Sequence, residues 1–460
     1  MRRRPAALRT RTVVLLLAAL LAAGAVAAEA QTPSTRADAA TGIPCAPDDG
    51  GLTLPDGFCA LVVADAVGSA RHLVVAPNGD VFVALRDTRN ERGGVIALRD
   101  TTGDGRADVR VRFGENGGTG IALAGDALLF ATDDAVLRYT LAPGALAPAT
   151  PPDTIVRSLP AEGGHRAKSI AVRGSNLYVN IGSRTNACQV QDRQPHSPGH
   201  DPCTELETRA GIWRFNATRT GQTPADGTRF ATGLRNIVAL AINPLDGELY
   251  GVQHGRDQLS ANWPELFTAE ENAEKPAEVL FNIREGGDYG WPHCFYDPEL
   301  GRNVLAPEYG GDGERAGRCD RAERPLAAFP AHWAPNALAF YPGPPARSSD
   351  AFPDSLRGAA FIAFHGSWNR APLPQGGYNV VVLPFQDGRP AGDWRVFADG
   401  FAGAAVQPRD ADHRPAGVAF GPDGSLYIAD DAGGRIWRVV HRVSGDAPRR
   451  RWAGQRNPPE

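Results

Sequence analysis

One pattern recurs six times along this chain: an apolar run, a tight turn and a second apolar run. RHLVVAPNGDVFVAL opens at Arg71, GIALAGDALLFATDD at Gly120, RAKSIAVRGSNLYVNIGS at Arg166, GLRNIVALAINPLDGELYGVQHGRDQ at Gly233 and RPAGVAFGPDGSLYIADD at Arg414. A looser copy runs through NALAFYPGPP and RGAAFIAFHGSWNR, with a longer insertion between its strands. Each copy reads as a pair of strands joined by a hairpin turn. Early starts are spaced by about 47 residues and later ones by more, in or just above the range of four-stranded propeller blades. The pattern therefore predicts an all-β fold, a six-bladed β-propeller. A β-sandwich also contains such hairpins, but it does not explain one type of turn recurring at blade-like intervals.

A chain of 460 residues would ordinarily suggest two or three domains, whereas a propeller absorbs residues 44–445 in one. Glycine (53) and proline (38) are abundant, as many tight turns require, and there is a single Met. A net charge of −4 gives no reason to expect a nucleic-acid partner. At the N-terminus, Arg2, Arg3, Arg4, Arg9 and Arg11 precede an apolar stretch from Val13 to Ala28 and a small-x-small site at Ala28-Glu29-Ala30. Residues 1–30 thus read as a signal peptide, 31–43 as a linker and 446–460 as a basic tail. The expectation is a periplasmic or secreted protein without stable membrane insertion, a retained N-terminal anchor being the alternative. All six cysteines lie in the exported part. The simplest pairing joins sequence neighbours, Cys45 with Cys59, Cys188 with Cys203 and Cys294 with Cys319, although other connectivities remain open. No CxxCH or CxxC spacing supports a covalent haem or a zinc ribbon.

Polar residues gather where the apolar runs end, at Arg235 and Asn236 and at His254 and Asp257. His165 follows two glycines just ahead of a strand, and a long polar loop from Asn186 through Cys203 is placed to roof a site. Trp291 reads as a packed aromatic corner. The polar members of His365-Gly366-Ser367-Trp368-Asn369-Arg370 would be costly to bury without partners, so they are expected to face a wet cleft. Asp100 to Asp108 resembles a calcium loop but offers Val111 where an EF-hand needs Glu, and reads as a hairpin turn. His165, Arg235, His254, Arg370 and Arg414 come from different repeats at similar positions, which a closed propeller brings to its axis.

At these motifs the chain resembles the soluble pyrroloquinoline quinone (PQQ)-dependent glucose and sorbosone dehydrogenases, six-bladed propellers that include the periplasmic aldose sugar dehydrogenases. The likeness runs from about Leu54 to Val440 and is most specific in GLRN followed by QHG, in GGDYGWP, in HGSWNR and in RPAGVAFGPDGSLYIADD. The resemblance implies that His165 is the catalytic base for a sugar C1 hydroxyl. It places Arg235 and Asn236 at the quinone's reactive carbonyl, where a cation stabilises developing negative charge. It implies cofactor contacts from His254, Arg414, and from Asn369 and Arg370 where well-studied members carry a lysine. It sets the backbone at Gly255 and Arg256 as the calcium site, in place of the usual Gly-Pro. A second arginine two positions after Arg414 is here Ala416.

The reading is PQQ-dependent oxidation of an aldose or sugar aldehyde, with electrons leaving to a separate acceptor, a soluble cytochrome or a quinone. Two rivals share the fold: a non-enzymatic ligand- or protein-binding propeller, and a calcium-dependent lactonase with Glu, Asn and Asp ringing an axial metal.

Overall fold

The apolar runs pair as expected. A computed structural model of the protein describes residues 42–346 and 348–442. The proposed signal peptide, all but the end of the linker and the basic tail lie outside the described residues. In blade 1, Val81–Leu85 (VFVAL) is buried on both faces and reads as a continuous apolar run. The outermost strand of that blade, Val109–Phe113 (VRVRF), alternates half-buried and exposed positions, because only one of its faces meets a neighbour. Six such sheets, each with four antiparallel strands, form the blades. Their innermost strands are Ala70–Val75, Gly118–Ala124, Ile170–Arg173, Ala239–Ile242, Pro335–Phe340 and Pro415–Phe420. Each touches the next, and the last touches the first, so the sheets close into a ring. This is a six-bladed propeller.

Turn chemistry supports the hairpins. In blade 4, the Asn243 side chain accepts from the Leu245 amide at 3.0 Å, and Gly247 takes a positive φ of 72°. The Asp100 loop is the connection between two strands of blade 1, its carboxylate accepting from the amides of Thr102, Gly103 and Gly105.

Ring closure uses both ends of the described chain. Blade 6 takes three strands from Pro415–His441 and its fourth from Phe58–Ala64, which pairs with Ile436–His441 from Phe58↔His441 to Ala64↔Ile436. The Cys45–Cys59 disulfide ties the preceding segment to this strand. Trp437 is fully buried in the same joint and donates its indole N–H to Gly50 O at 3.0 Å. The other two disulfides, Cys188–Cys203 and Cys294–Cys319, also join sequence neighbours, each within a long connection at one end of the ring. Gly287 and Asp288 of GGDYGWP pair in parallel with Ala231 and Thr232, adding a fifth strand to blade 3. Among the described residues, the α-helices are two short ones, Leu259–Asn262 and Ala269–Glu274, and no helix is long and apolar enough to cross a membrane.

If the joint holds the ring, Trp437→Ala removes a large buried side chain and orphans a carbonyl. Urea unfolding should register a loss of about 3–5 kcal/mol.

Candidate active site

Every innermost strand leaves the same end of the ring, and the second strand of each blade returns to it. The residues just before the first strands and just after the second strands therefore share one mouth. In blades 3 and 4 this brings together His165, Ser183, Asn186, Arg235, His254 and Asp257. Blades 6 and 1, which stand opposite in a six-membered ring, contribute Asp431, Arg414, Arg71 and Arg86.

Arg235 is the centre of the first group. It is buried, yet four of its five N–H groups are taken. Nε donates to Asn186 O at 3.1 Å, Nη1 to Gly255 O at 2.9 Å, and Nη2 to Asn186 Oδ1 at 2.9 Å and Asp257 Oδ2 at 3.0 Å. Asp257 also accepts from Arg193 at 2.8 Å and from the Asn369 amide at 3.2 Å. Burial alone would raise its carboxyl, but Arg235 and Arg193 hold it well below the usual carboxylate range. Asn186 is the hub: its carbonyl also accepts the Trp291 indole N–H at 3.0 Å, and its Nδ2 donates to Asp257 O at 2.9 Å. Trp291 is thus the expected packed corner, and it supports the site from behind.

His165 faces this group through Ser183. The Ser183 amide donates to Arg235 O at 2.8 Å, while His165 Nδ1 lies 3.0 Å from Ser183 O and 2.9 Å from Ser183 Oγ. The Ser183 hydroxyl proton is committed to Thr185 O, so both oxygens near Nδ1 act as acceptors. Nδ1 therefore carries the proton and Nε2 presents a lone pair. Burial, then the Arg235 charge, pushes the imidazole pKa well below its ordinary value, so it stays neutral. Asn236 sits against Gly182, whose other neighbour is His165. His254 Nε2 donates to Pro335 O at 2.8 Å, and burial lowers its pKa to about 4.

The opposite group has a different balance. Asp431 is 2.9 Å from Arg71 Nη1, 3.5 Å from Arg86 Nη2 and 2.6 Å from His365 Nε2. Arg414 donates Nε to His365 O at 3.1 Å and Nη2 to Gly366 O. Two guanidinium groups and an imidazole thus meet one carboxylate, the Arg414 guanidinium lies beside them on backbone carbonyls, and the buried Arg71 Nε has no hydrogen-bond partner. His72 Nε2 donates to Asn336 O at 2.7 Å, linking the innermost strands of blades 1 and 5.

Several expectations change. The HGSWNR polar groups do not face a wet cleft, because each finds a partner: Ser367 with His332 O at 2.8 Å and Asn369 with Asp257 and His332 Nδ1. Asn369 joins the Arg235 group, but Arg370 does not. Its guanidinium is turned to Ala273 O, Ala331 O and Glu274 at the end of the second helix. Arg256 points away too, its buried side chain paired with Glu308 at 2.5 Å. That leaves only main-chain oxygens for calcium, and Gly255 O already accepts from a cation. Among the described residues no cluster of three or more His, Cys, Asp or Glu side chains could hold a metal. The donors do not fit a calcium cage built from the protein alone, and no step is assigned to the ion. Arg71 and Arg86 are contributors that the sequence reading does not single out, while Asp257 and Asn186 were noted there without a role as ligands of Arg235. Arg71 opens a repeat just as Arg414 does, and that shared position was the available signal. A cavity of about 310 Å³ opens at the other end of the ring, between turns of blades 1 and 6, but its Asp80 and Asp423 are already paired with Arg99 and Arg438.

The TrAA12-like family model matches residues 52–442. The chain belongs to that family. This agrees with the family expected from GLRN, QHG and HGSWNR. Among solved structures, the holo PQQ domain of pyranose dehydrogenase from Coprinopsis cinerea superposes with a TM-score of 0.68 at 18% identity, covering 85% of this chain and 97% of that one. The full PQQ-dependent pyranose dehydrogenase of C. cinerea is 26% identical over 61% of this chain and 40% of its own length. An uncharacterised protein of Borreliella burgdorferi is 29% identical over 58% of this chain and 60% of its own. The chain thus spans 40–60% of the length of these curated relatives.

The Arg235 group predicts a steep cost for neutralising its carboxylate. Asp257→Asn keeps the shape but leaves Arg235 buried without its counter-charge, and chemical denaturation should show a loss of about 3 kcal/mol or more.

Proposed function

We propose that this chain is a quinoprotein sugar dehydrogenase that oxidises the C1 hydroxyl of an aldose or related sugar with pyrroloquinoline quinone. The observation that carries the reading is the His165 tautomer: a neutral imidazole with its Nε2 lone pair free, held by Ser183 against the Arg235 group. Family membership, and the names of the C. cinerea relatives, support the cofactor and substrate class.

The opposite cationic group fits a polyanionic cofactor. Arg71 and Arg86 share one carboxylate, Arg414 donates only to backbone carbonyls among the described residues, and the unpartnered buried Arg71 N–H calls for an acceptor such as a cofactor carboxylate. Arg71 and Arg86 supply, from blade 1, the positive charge that Ala416 and the missing lysine withdraw. On the other side, Asn236 and the remaining Nη1 hydrogen of Arg235 are the donors for a carbonyl oxygen on which charge develops. When bound, the quinone supplies the acceptor for the hydride leaving sugar C1. His165 Nε2 takes the hydroxyl proton and later releases it, returning to the neutral state that burial and Arg235 favour. Arg235 serves twice, keeping His165 neutral before reaction and offering a donor during it. Electrons then pass to a separate acceptor, a soluble cytochrome or a quinone. The three disulfides fit a periplasmic or secreted location.

The test is a quinone titration followed by single-turnover reduction with an aldose. His165→Gln should bind quinone as the wild type does and reduce it about 10²–10⁴-fold more slowly, the usual worth of a positioned base. Arg71→Met should mainly weaken quinone binding. Because the His165 pKa is lowered, the base stays unprotonated into mildly acidic solution, and the acid limb of wild-type turnover should lie below pH 6.5. A wild type that binds no quinone would end this reading and favour a binding propeller.

A further inference from the structure

Trp368 is 58% exposed, more than any other large apolar side chain among the described residues. A single exposed hydrophobe is ordinary on a protein surface. This one differs in how it is held. On one side Ser367 Oγ donates to His332 O at 2.8 Å, and Arg414 grips Gly366 O. On the other, Asn369 Nδ2 reaches Asp257 at 3.2 Å, and Arg370 Nη1 donates to Ala273 O at 2.8 Å. Ser367 and Asn369 both turn inward, so the residue between them turns out. The indole has no ring contact or hydrogen bond of its own, although its flanking backbone is fixed on both sides. Its position is therefore set by the machinery of the site, and its apolar face and N–H are left for something outside the protein.

We propose that Trp368 is a stacking platform for the pyranose ring next to the reacting one, which makes a disaccharide aldose a better-bound substrate than a monosaccharide. This rests on the sugar-oxidation reading above. A pyranose ring presents a flat patch of C–H groups rimmed by hydroxyls, which matches an aromatic face with a polar edge. Location selects the neighbouring ring. The reacting carbon must meet His165 Nε2 in the half-buried interior, whereas the indole stands in solvent one residue from Asn369, at the rim of the same cluster. Because backbone anchors hold the loop before sugar arrives, stacking carries little ordering cost.

The experiment compares cellobiose with glucose on the quinone-loaded wild type, Trp368→Ala and Trp368→Phe. Trp368→Ala should raise KM for cellobiose about 3–10-fold relative to KM for glucose, with kcat for the two sugars moving together by less than about twofold. Trp368→Phe, which keeps an aromatic face, should restore most of the ratio. An unchanged KM ratio overturns the proposal. So does a common fall in kcat with KM unmoved, the pattern expected if the indole instead docks an electron-accepting protein. Calorimetric titration of cellobiose into wild type and Trp368→Ala separates this idea from the wider one. If no sugar is oxidised but cellobiose binds the wild type more tightly, the platform stands and the oxidation reading falls. Equal or absent binding in that case overturns the platform too.

Discussion

A propeller has to close, and here a single antiparallel pairing closes it: Phe58–Ala64 against Ile436–His441. Without that pairing, blade 6 would have three strands and its two chain ends would not be tied together. The site sits beside the joint and depends on it. Arg71 from blade 1 meets Asp431 at 2.9 Å in blade 6, the sheet that the first and last described strands share. The Cys45–Cys59 bond and the Trp437 indole both reinforce that sheet from its outer side. Closure is thus a precondition of the cationic group as well as of the fold.

The two charged groups at the mouth differ in how completely they are satisfied. Burying a guanidinium is expensive unless its donors find acceptors, and Arg235 finds them in Asn186, Gly255 and Asp257. Such a residue is rigid, and its charge acts on His165 from a fixed place. Across the axis, Arg71 and Arg86 share Asp431 with His365, and Arg414 beside them donates its guanidinium only to backbone carbonyls among the described residues. Here the missing partner is the informative feature, because a buried donor without an acceptor is a standing cost that an anionic ligand relieves. Glu278 adds a contrast within the first group. Its buried carboxyl accepts the Gly255 and Ala334 amides, yet burial still lifts its pKa to about 7, since neither contact brings a full positive charge.

The HGSWNR segment shows where reading residues one at a time fails. Four polar side chains in a row suggested solvent, because burying them singly would be costly. The fold instead supplies His332 O, Asp257, Ala273 O and Glu274 as partners, and leaves only the tryptophan outside. Arg370 was expected at the site from its blade position and the resemblance, and Arg256 from the resemblance through its backbone. In each case, the neighbouring residue faces the axis and the arginine turns to a different acid.

The sequence alone determined the repeat, the turns and the ends of strands where chemistry gathers. Those properties are local: alternation, Asn-Pro-Leu-Asp-Gly turns and cysteines a short loop apart are specified by residues close in the chain. His165, Arg235, Asn236 and Arg414 were legible for that reason, each standing just ahead of an innermost strand. Only the tertiary structure decided which charges meet. Arg71 and Asp431 are 360 positions apart, and Asn186 and Arg235 are 49 apart. No periodicity within either segment encodes such pairings, because they arise only when six sheets pack around one axis and bring the ends of different blades within reach of a hydrogen bond.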